Sequence, residues 1–122
     1  MLVDGLGNPI EVRITGGQVH DVTQAVALLE GKSAEFVLGD KAYDAADVLA
    51  AIEGMSAAAV IPSRACRTEP RAIDKHIYKE RHLVECFFCH LKHFRRAATR
   101  YEKTLSSYLG MILFACILIW LR

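Results

Sequence analysis

The chain has 122 residues, of which 52% are hydrophobic and 24% are charged, and its formal net charge is +1. This length suits one compact domain with one core, and the composition excludes a disordered, collagen-like or low-complexity chain. The charge is segregated, because residues 1–61 hold nine acidic and three basic side chains, whereas residues 62–103 hold eleven basic and five acidic ones. The basic half predicts a polyanionic partner, and the acidic half indicates either metal ligands or a solvated face.

The cysteines and the apolar C-terminus bear on the compartment. The N-terminus lacks the basic start and apolar stretch of a secretory signal, so we expect a reduced cytoplasmic protein with free thiols and no membrane partner. The apolar run 108–121 is shorter than the roughly 20 residues that cross a bilayer, and it predicts a buried core helix with Trp120 in the core.

Glycine, proline and Asx residues divide the first half of the chain into short elements. Two short segments, 2–4 and 10–15, flank a Gly/Asn/Pro turn, and apolar and polar residues alternate along the second. This pattern predicts a β-hairpin. Asp21 or Thr23 is a candidate cap for a helix that ends at Gly31. An apolar strand over 35–39 then stops at Asp40.

The following elements predict an α/β fold. A helix over 45–53 and a buried strand over 57–61 complete a β-α-β unit, so part of the sheet is expected to be parallel. Residues 63–75 predict an exposed basic loop, and two helices, about 77–93 and 105–121, are expected after it. At about 100° per residue, the first of these helices would align four polar side chains along one edge of its buried face, namely Tyr78, Arg81, Glu85 and Lys92. Its predicted buried arc holds Ile77, Val84, Phe88 and Leu91.

Those four polar residues carry a resemblance to a known family. The spacing Tyr78-x2-Arg81-x3-Glu85-x6-Lys92 is similar to the signature around the third acidic residue of bacterial insertion-sequence DDE transposases. Residues 15–21 and 39–44 and the terminal Ile119-Trp120-Leu121-Arg122 also resemble a subgroup of this family. The resemblance covers nearly the whole chain in the right order.

The resemblance implies a ribonuclease H-like (RNase H-like) catalytic core and DNA strand nicking and transfer at insertion-sequence ends. Two Mg²⁺ or Mn²⁺ ions, held by two Asp and one Glu, serve this chemistry in the family, because such ions prefer hard oxygen ligands. Asp40 matches the second Asp and Glu85 matches the Glu, as catalytic residues and metal ligands. Three positions match helix residues expected to contact the DNA backbone: Tyr78, Arg81 and Lys92.

The chain also departs from the family pattern. The family's first catalytic Asp lies on a first strand, upstream of the part that Leu2–Thr15 resembles, and Asp4 reads as a turn residue. Residues 1–122 therefore read as the C-terminal part of one catalytic domain, truncated at the N-terminus with its first strand missing. The two-metal site would be incomplete, and we expect the chain to be inactive alone.

Simpler interpretations exist for each acidic candidate. Asp40 taken alone is an ordinary Asp at a strand end, although strand ends in α/β folds do collect ligands. Glu85 taken alone is a salt-bridge partner for Arg81, and only the register with Tyr78 and Lys92 favours catalysis.

The motif Cys86-Phe87-Phe88-Cys89-His90 fits patterns for haem attachment or, with His93, zinc binding. Haem attachment needs an exported chain, and four ligands along two turns of one helix cannot converge on one tetrahedral ion. An exposed thiol pair is the simpler interpretation.

The basic residues between 64 and 103 form either a solvated face or a surface for DNA phosphates, and their density near the proposed catalytic helix favours the second. They are Arg64, Arg67, Arg71, Lys75, Arg95, Arg96, Arg100 and Lys103, of which Arg95, Arg96 and Arg100 are the predicted DNA contacts.

Three hypotheses for the function follow. The chain is a transposase fragment acting on transposon ends and target DNA in the bacterial cytoplasm or on the nucleoid, with an upstream-encoded transposase half or an intact transposase as a partner. Alternatively, it is a non-catalytic DNA-binding or transposase-interfering remnant, or a decayed product that aggregates, as its mean hydropathy of +0.21 would favour.

Overall fold

Two separate clusters of buried apolar side chains organise the chain, instead of the single core that its length predicts. The computed structural model describes residues 1–122. A central unit comprises Gly16–Arg81, and a terminal unit combines Met1–Thr15 with His82–Arg122. Each unit contains one of the two clusters.

The terminal unit begins with the predicted β-hairpin. Strands β1 (Leu2–Val3) and β2 (Pro9–Glu11) pair antiparallel. Asp4 Oδ1 accepts hydrogen bonds of 2.8 Å from the amides of Leu6 and Asn8, which closes the turn. Burial acts to raise the pKa of Asp4, but these bonds outweigh it and the pKa is lowered. Asp4 is thus a turn residue, as predicted.

The central unit opens with a short helical segment. A 3₁₀ helix, Asp21–Gln24, leads into α1 (Ala25–Leu29), and the chain turns away at Gly31, whose φ of +69° suits glycine. The prediction that Asp21 or Thr23 caps this helix is wrong. The N-cap residue is His20, without a side-chain capping bond, and the Thr23 hydroxyl donates to the His20 carbonyl.

The predicted β-α-β unit follows. Strand β3 (Phe36–Leu38) leads through a 3₁₀ helix, Lys41–Tyr43, to α2 (Ala46–Gly54) and then to β4 (Ala58–Val60). The strands pair in parallel, with Phe36 opposite Ala58 and Leu38 opposite Val60. Packing of α2 against α1 and β4 buries Val48 and Ile52, which form a core with Ile61. The α/β prediction is confirmed for this unit.

The long helix predicted over 77–93 is broken. Helix α3 (Lys75–Lys79) is capped by Asp74, and helix α4 (His82–Lys92) begins after an interruption. The amides of Glu80 and Arg81 bond to carbonyls three residues back, so the regular i to i−4 ladder stops there. The prediction that one continuous helix aligns Tyr78, Arg81, Glu85 and Lys92 is therefore wrong.

Helices α4, α5 (Arg95–Ala98) and α6 (Leu105–Trp120) pack together in the terminal unit. Phe87, 1% exposed, lies in their core with Leu91, whereas Phe88 is 42% exposed, so the prediction that Phe88 faces the core is wrong. The Tyr108 hydroxyl donates to the Ala97 carbonyl at 3.0 Å and ties α6 to α5.

Helix α6 is only partly buried, contrary to the predicted core helix. Trp120 is 54% exposed rather than in the core, and its indole N–H donates to the Pro9 carbonyl at 2.7 Å. Other large apolar side chains of α6 are also exposed: Leu105, Leu113, Phe114, Ile117 and Leu118. None of the helices has the length and hydrophobicity that crossing a membrane requires.

Candidate catalytic acids and the basic segment

Asp40 lies just after β3, at the carboxyl end of a parallel strand, as predicted. It caps the 3₁₀ helix that follows, because its Oδ1 accepts a 2.8 Å hydrogen bond from the Ala42 amide, and its carbonyl accepts from the Tyr43 amide. Asp40 is half-buried, so its carboxylate is held by the turn and still reaches solvent. This is an arrangement in which a carboxylate oxygen can also bind a cation.

Asp40 and Asp21 both act on the side chain of Tyr43. Burial raises the pKa of the Tyr43 phenol, and the negative charges of Asp21 and Asp40 raise it further. The two carboxylates therefore act on the same phenol from within the central unit. Neutralising one of them, or adding a cation there, would relieve this effect on Tyr43.

Glu85 lies in the first turn of α4 and is exposed. Tyr78 is in α3, and the Arg81 guanidinium lies 5.8 Å from the centre of its ring, a cation–π arrangement. Tyr78, Arg81 and Asp40 belong to the central unit, and Glu85 and Lys92 belong to the terminal unit. That Asp40 and Glu85 share one site stays a prediction.

A buried carboxylate close to Asp40 in sequence was not anticipated. Asp44, 2% exposed, accepts hydrogen bonds from the Arg64 amide at 2.8 Å, from Arg67 Nε and Nη2 at 2.9 and 2.8 Å, and from Arg71 Nη2 at 2.9 Å. The Arg64 guanidinium also donates to the carbonyls of Lys41 and Ala42. We call these four residues, Asp44, Arg64, Arg67 and Arg71, the Asp44 cluster.

The cluster explains the electrostatics of its members. The hydrogen bonds from Arg67, and then the one from the Arg64 amide, lower the pKa of Asp44 to about 2. The same contact raises the pKa of Arg67. Arg67 and Arg71 thus form ion pairs with Asp44, and the loop that carries them is mostly exposed, as predicted.

The remaining predicted DNA contacts lie in one stretch of the terminal unit. We call residues 92–103 the basic segment. Its lysines and arginines are all exposed, and they are Lys92, Arg95, Arg96, Arg100 and Lys103. Arg96 Nε lies 3.1 Å from Oε1 of Glu102, whose side chain is 8% exposed and accepts no hydrogen bond. The Arg100 guanidinium lies 5.3 Å from the centre of the Tyr108 ring.

The cysteines and histidines of α4 do not assemble a metal centre. Cys86 and Cys89 are exposed free thiols, and His90 Nδ1 lies 3.1 Å from Arg122 Nη2. No three or more His, Cys, Asp or Glu side chains lie close enough together to hold a metal ion. Asp40 and Glu85 have the oxygen donors that Mg²⁺ prefers, but the chain holds no three-acid group.

Comparison with known proteins identifies the family. Residues 1–120 match the family described as the Transposase DDE domain. The chain belongs to this family of DDE transposases. It is also 43% identical over 123 aligned positions to the "Putative transposase for insertion sequence element IS6501" of Brucella ovis, an alignment that covers 99% of this chain and 95% of that protein. No solved structure matches the chain.

Membership confirms the resemblance found in the sequence. A DDE transposase domain implies an RNase H-like fold, and the observed α/β structure has two small sheets. The family supports a role in DNA transposition, and its chemistry is hydrolysis and transesterification of DNA phosphodiesters with divalent metal ions, typically Mg²⁺. Binding to DNA is part of that activity.

Asp44 and Glu102 are the residues of interest that the sequence reasoning missed. One signal was present for Asp44, because residues 62–73 carry three arginines and a single acid, Glu69, which leaves their charge without local compensation. For Glu102 the sequence offered no signal beyond its place beside a dense run of cations.

Proposed function

We propose that this chain supplies the second and third acids, Asp40 and Glu85, of a DDE transposase catalytic domain that acts on the DNA of insertion-sequence ends. The observation that carries this proposal is the position of Asp40 at the carboxyl end of a parallel strand, where α/β folds bind ligands, in a chain whose family match spans both units. Both units would then belong to one catalytic domain, of which this chain is the C-terminal part.

We further propose that strands β3 and β4 belong to a larger RNase H-like sheet. Each has only three residues, and together they form a two-stranded parallel sheet. Parallel sheets of this size are uncommon, because parallel strands are normally central members of larger covered sheets. The family's first strand, which is expected to carry the first catalytic Asp, is the natural neighbour for this sheet.

The proposed cofactor is Mg²⁺ or Mn²⁺, bound through the carboxylates of Asp40 and Glu85. Divalent ions in such sites activate the attacking oxygen and stabilise the leaving oxygen of a phosphodiester. Asp4 is a poor substitute for the first Asp, because its carboxylate is already engaged by the amides of Leu6 and Asn8. With two of three acids, the chain alone is expected to cleave nothing.

Calorimetric titration of the chain with Mn²⁺ tests the assignment of the two acids. Asp40→Ala and Glu85→Ala are each expected to weaken binding by at least about tenfold, since even an outer partner of a metal ligand has effects of this size. Glu53→Gln, an exposed acid on α2, is the matched control and should bind as the parent does. Binding that neither alanine variant weakens would remove both residues from the metal site.

Incubation with a labelled terminal inverted repeat and Mg²⁺ tests the expected inactivity. The intact chain should leave this DNA uncut. Nicking that Asp40→Ala abolishes would show that two acids suffice and would contradict the incomplete site.

We propose that DNA phosphates are contacted by Tyr78 and Arg81 and by the cations of the basic segment: Lys92, Arg95, Arg96 and Arg100. Support comes from the exposure of the last four and from their position within nine consecutive residues. Within the basic segment, Arg96 has an acidic neighbour at ion-pair distance, Glu102, so we expect its contribution to be smaller than that of Arg95.

The salt dependence of DNA binding tests this surface. For duplex DNA, each lost phosphate contact reduces the slope of log affinity against log salt by about 0.9. The double variant Lys92→Ala/Arg95→Ala should therefore lower the slope by roughly 2, equally for unrelated DNA sequences. Arg13→Ala, which removes an exposed cation outside the basic segment, should leave the slope unchanged; equal slopes for all three proteins would refute the assignment.

A second candidate function is a non-catalytic protein that binds DNA or interferes with an intact transposase. The exposed apolar side chains of α6 favour it, because an apolar surface of this kind is typical of a contact with another polypeptide. Under this alternative the chain binds DNA with a steep salt dependence, co-purifies with an intact transposase or an upstream-encoded transposase half, and cuts nothing. Cleavage of DNA after addition of that half would instead support the catalytic proposal.

A further inference from the structure

Asp44 fixes one end of the turn that begins at Asp40. The carboxylate is buried, and two guanidinium groups and one amide satisfy it from a loop that follows β4. Arg71 is itself fixed, because its amide donates to Ser63 Oγ at 2.7 Å and its Nε donates to the Ile61 carbonyl at 3.3 Å. The Asp44 cluster therefore joins the turn to the end of the neighbouring parallel strand.

The middle of the same turn is held from the other side. Arg64 donates from Nη2 to the Ala42 carbonyl at 2.8 Å and from Nε to the Lys41 carbonyl at 3.3 Å. The Ala42 amide, on the same residue, donates to Asp40 Oδ1. A continuous set of hydrogen bonds thus runs from Asp44 through Arg64 to the Asp40 carboxylate.

We propose that Asp44 is a positioning residue, which fixes the Asp40 carboxylate by anchoring the turn 40–44 through Arg64, Arg67 and Arg71. This inference rests on the proposed role of Asp40 as a metal ligand. A 3₁₀ helix of three residues has little stability of its own, so its geometry depends on contacts from outside. The Asp44 cluster supplies those contacts.

Hydrogen exchange of single backbone amides in the full chain, followed by NMR, tests directly whether the Asp44 cluster holds the turn 40–44. In Asp44→Asn and in Arg64→Ala the amides of Ala42 and Tyr43 should exchange at least about tenfold faster. In Arg64→Ala the amide of Leu49 in α2 should keep its rate, which separates local opening from general unfolding. In Asp44→Asn, which also breaks a buried ion pair, the rates at 42 and 43 should rise more than the rate at Leu49. Arg64→Ala keeps the ion pairs of Asp44 with Arg67 and Arg71, so it remains informative if Asp44→Asn fails to fold.

Glu69→Gln and Lys75→Ala are the matched controls, because each removes an exposed charge from the same unit and leaves the turn alone. Mn²⁺ affinity of the same proteins gives the second readout, and it should fall in Asp44→Asn and Arg64→Ala but in neither control. In Arg64→Ala, a loss of affinity at an unchanged Leu49 rate is what positioning predicts and what a purely structural role does not.

Two outcomes would overturn the inference: unchanged amide rates at 42 and 43, or faster rates with full Mn²⁺ affinity in a chain whose binding depends on Asp40. If Asp40→Asn does not weaken Mn²⁺ binding in the parent chain, the proposed function fails. The amide rates then still decide whether Asp44 holds the turn.

Discussion

Replacing Phe87 by alanine will destabilise the terminal unit by about 3–5 kcal/mol, the usual effect of deleting a fully buried phenyl ring. Phe87 lies in a cluster with Leu91, Ala97 and residues of α6, so no solvent can fill the space that the ring leaves. Urea unfolding followed by fluorescence is the suitable measurement. Trp120 is the single tryptophan, and its indole bond to Pro9 reports on this unit.

Phe88→Ala is the matched control for this substitution. The two side chains are neighbours in sequence, and their ring centroids are 5.6 Å apart. Because Phe88 is 42% exposed, its loss should cost only about 1–2 kcal/mol. Equal losses of unfolding free energy in the two variants would show that the core does not lie on the face of α4 that carries Phe87.

The second large effect concerns Asp44 and pH. Asp44→Asn should lower the melting temperature of the central unit by roughly 10 °C or more at pH 7, because it breaks a buried ion pair and leaves two guanidinium groups with a single neutral acceptor oxygen. The folded-state pKa is about 2, below the ordinary 3.8, so this stabilisation is present above pH 3.8 and is lost as the pH falls towards 2.

Thermal melting followed by circular dichroism between pH 2 and pH 7 measures this window. The difference between parent and variant should be constant near neutrality and shrink steadily below pH 3.8. Glu53→Gln, which removes an exposed carboxylate, should track the parent throughout. A difference that persists undiminished at pH 2 would mean that the stabilising effect of Asp44 does not depend on its charge.

Turn-forming residues and short apolar runs made much of the fold predictable. The Gly/Asn/Pro turn located the hairpin, and the alternation of short apolar runs with an alanine-rich segment located β3, α2 and β4 to within one or two residues. These elements depend on residues close together in the chain. The position of Asp40 at a strand end was predictable for the same reason.

The errors have a common physical origin in distant contacts. The choice between Phe87 and Phe88 as the buried ring of α4 depends on packing against α6, which lies more than fifteen residues further along the chain. The burial of Asp44 depends on arginines 20 to 27 residues away, which no local pattern encodes. The alignment of Glu85 with Asp40 has the same non-local character, and it stays a prediction.

The discontinuous terminal unit has a consequence for how the chain is made. Residues 1–15 emerge from the ribosome before the central unit, whereas α4, α5 and α6, which belong to the same unit as residues 1–15, emerge after it. Protein synthesis adds roughly 5–20 residues per second, so several seconds pass before the cluster that covers Val3, Val12 and Ile14 has been synthesised. The central unit, whose residues are contiguous, can fold in that interval. We therefore expect the early hairpin to be the stretch most exposed to chaperones and proteases during synthesis.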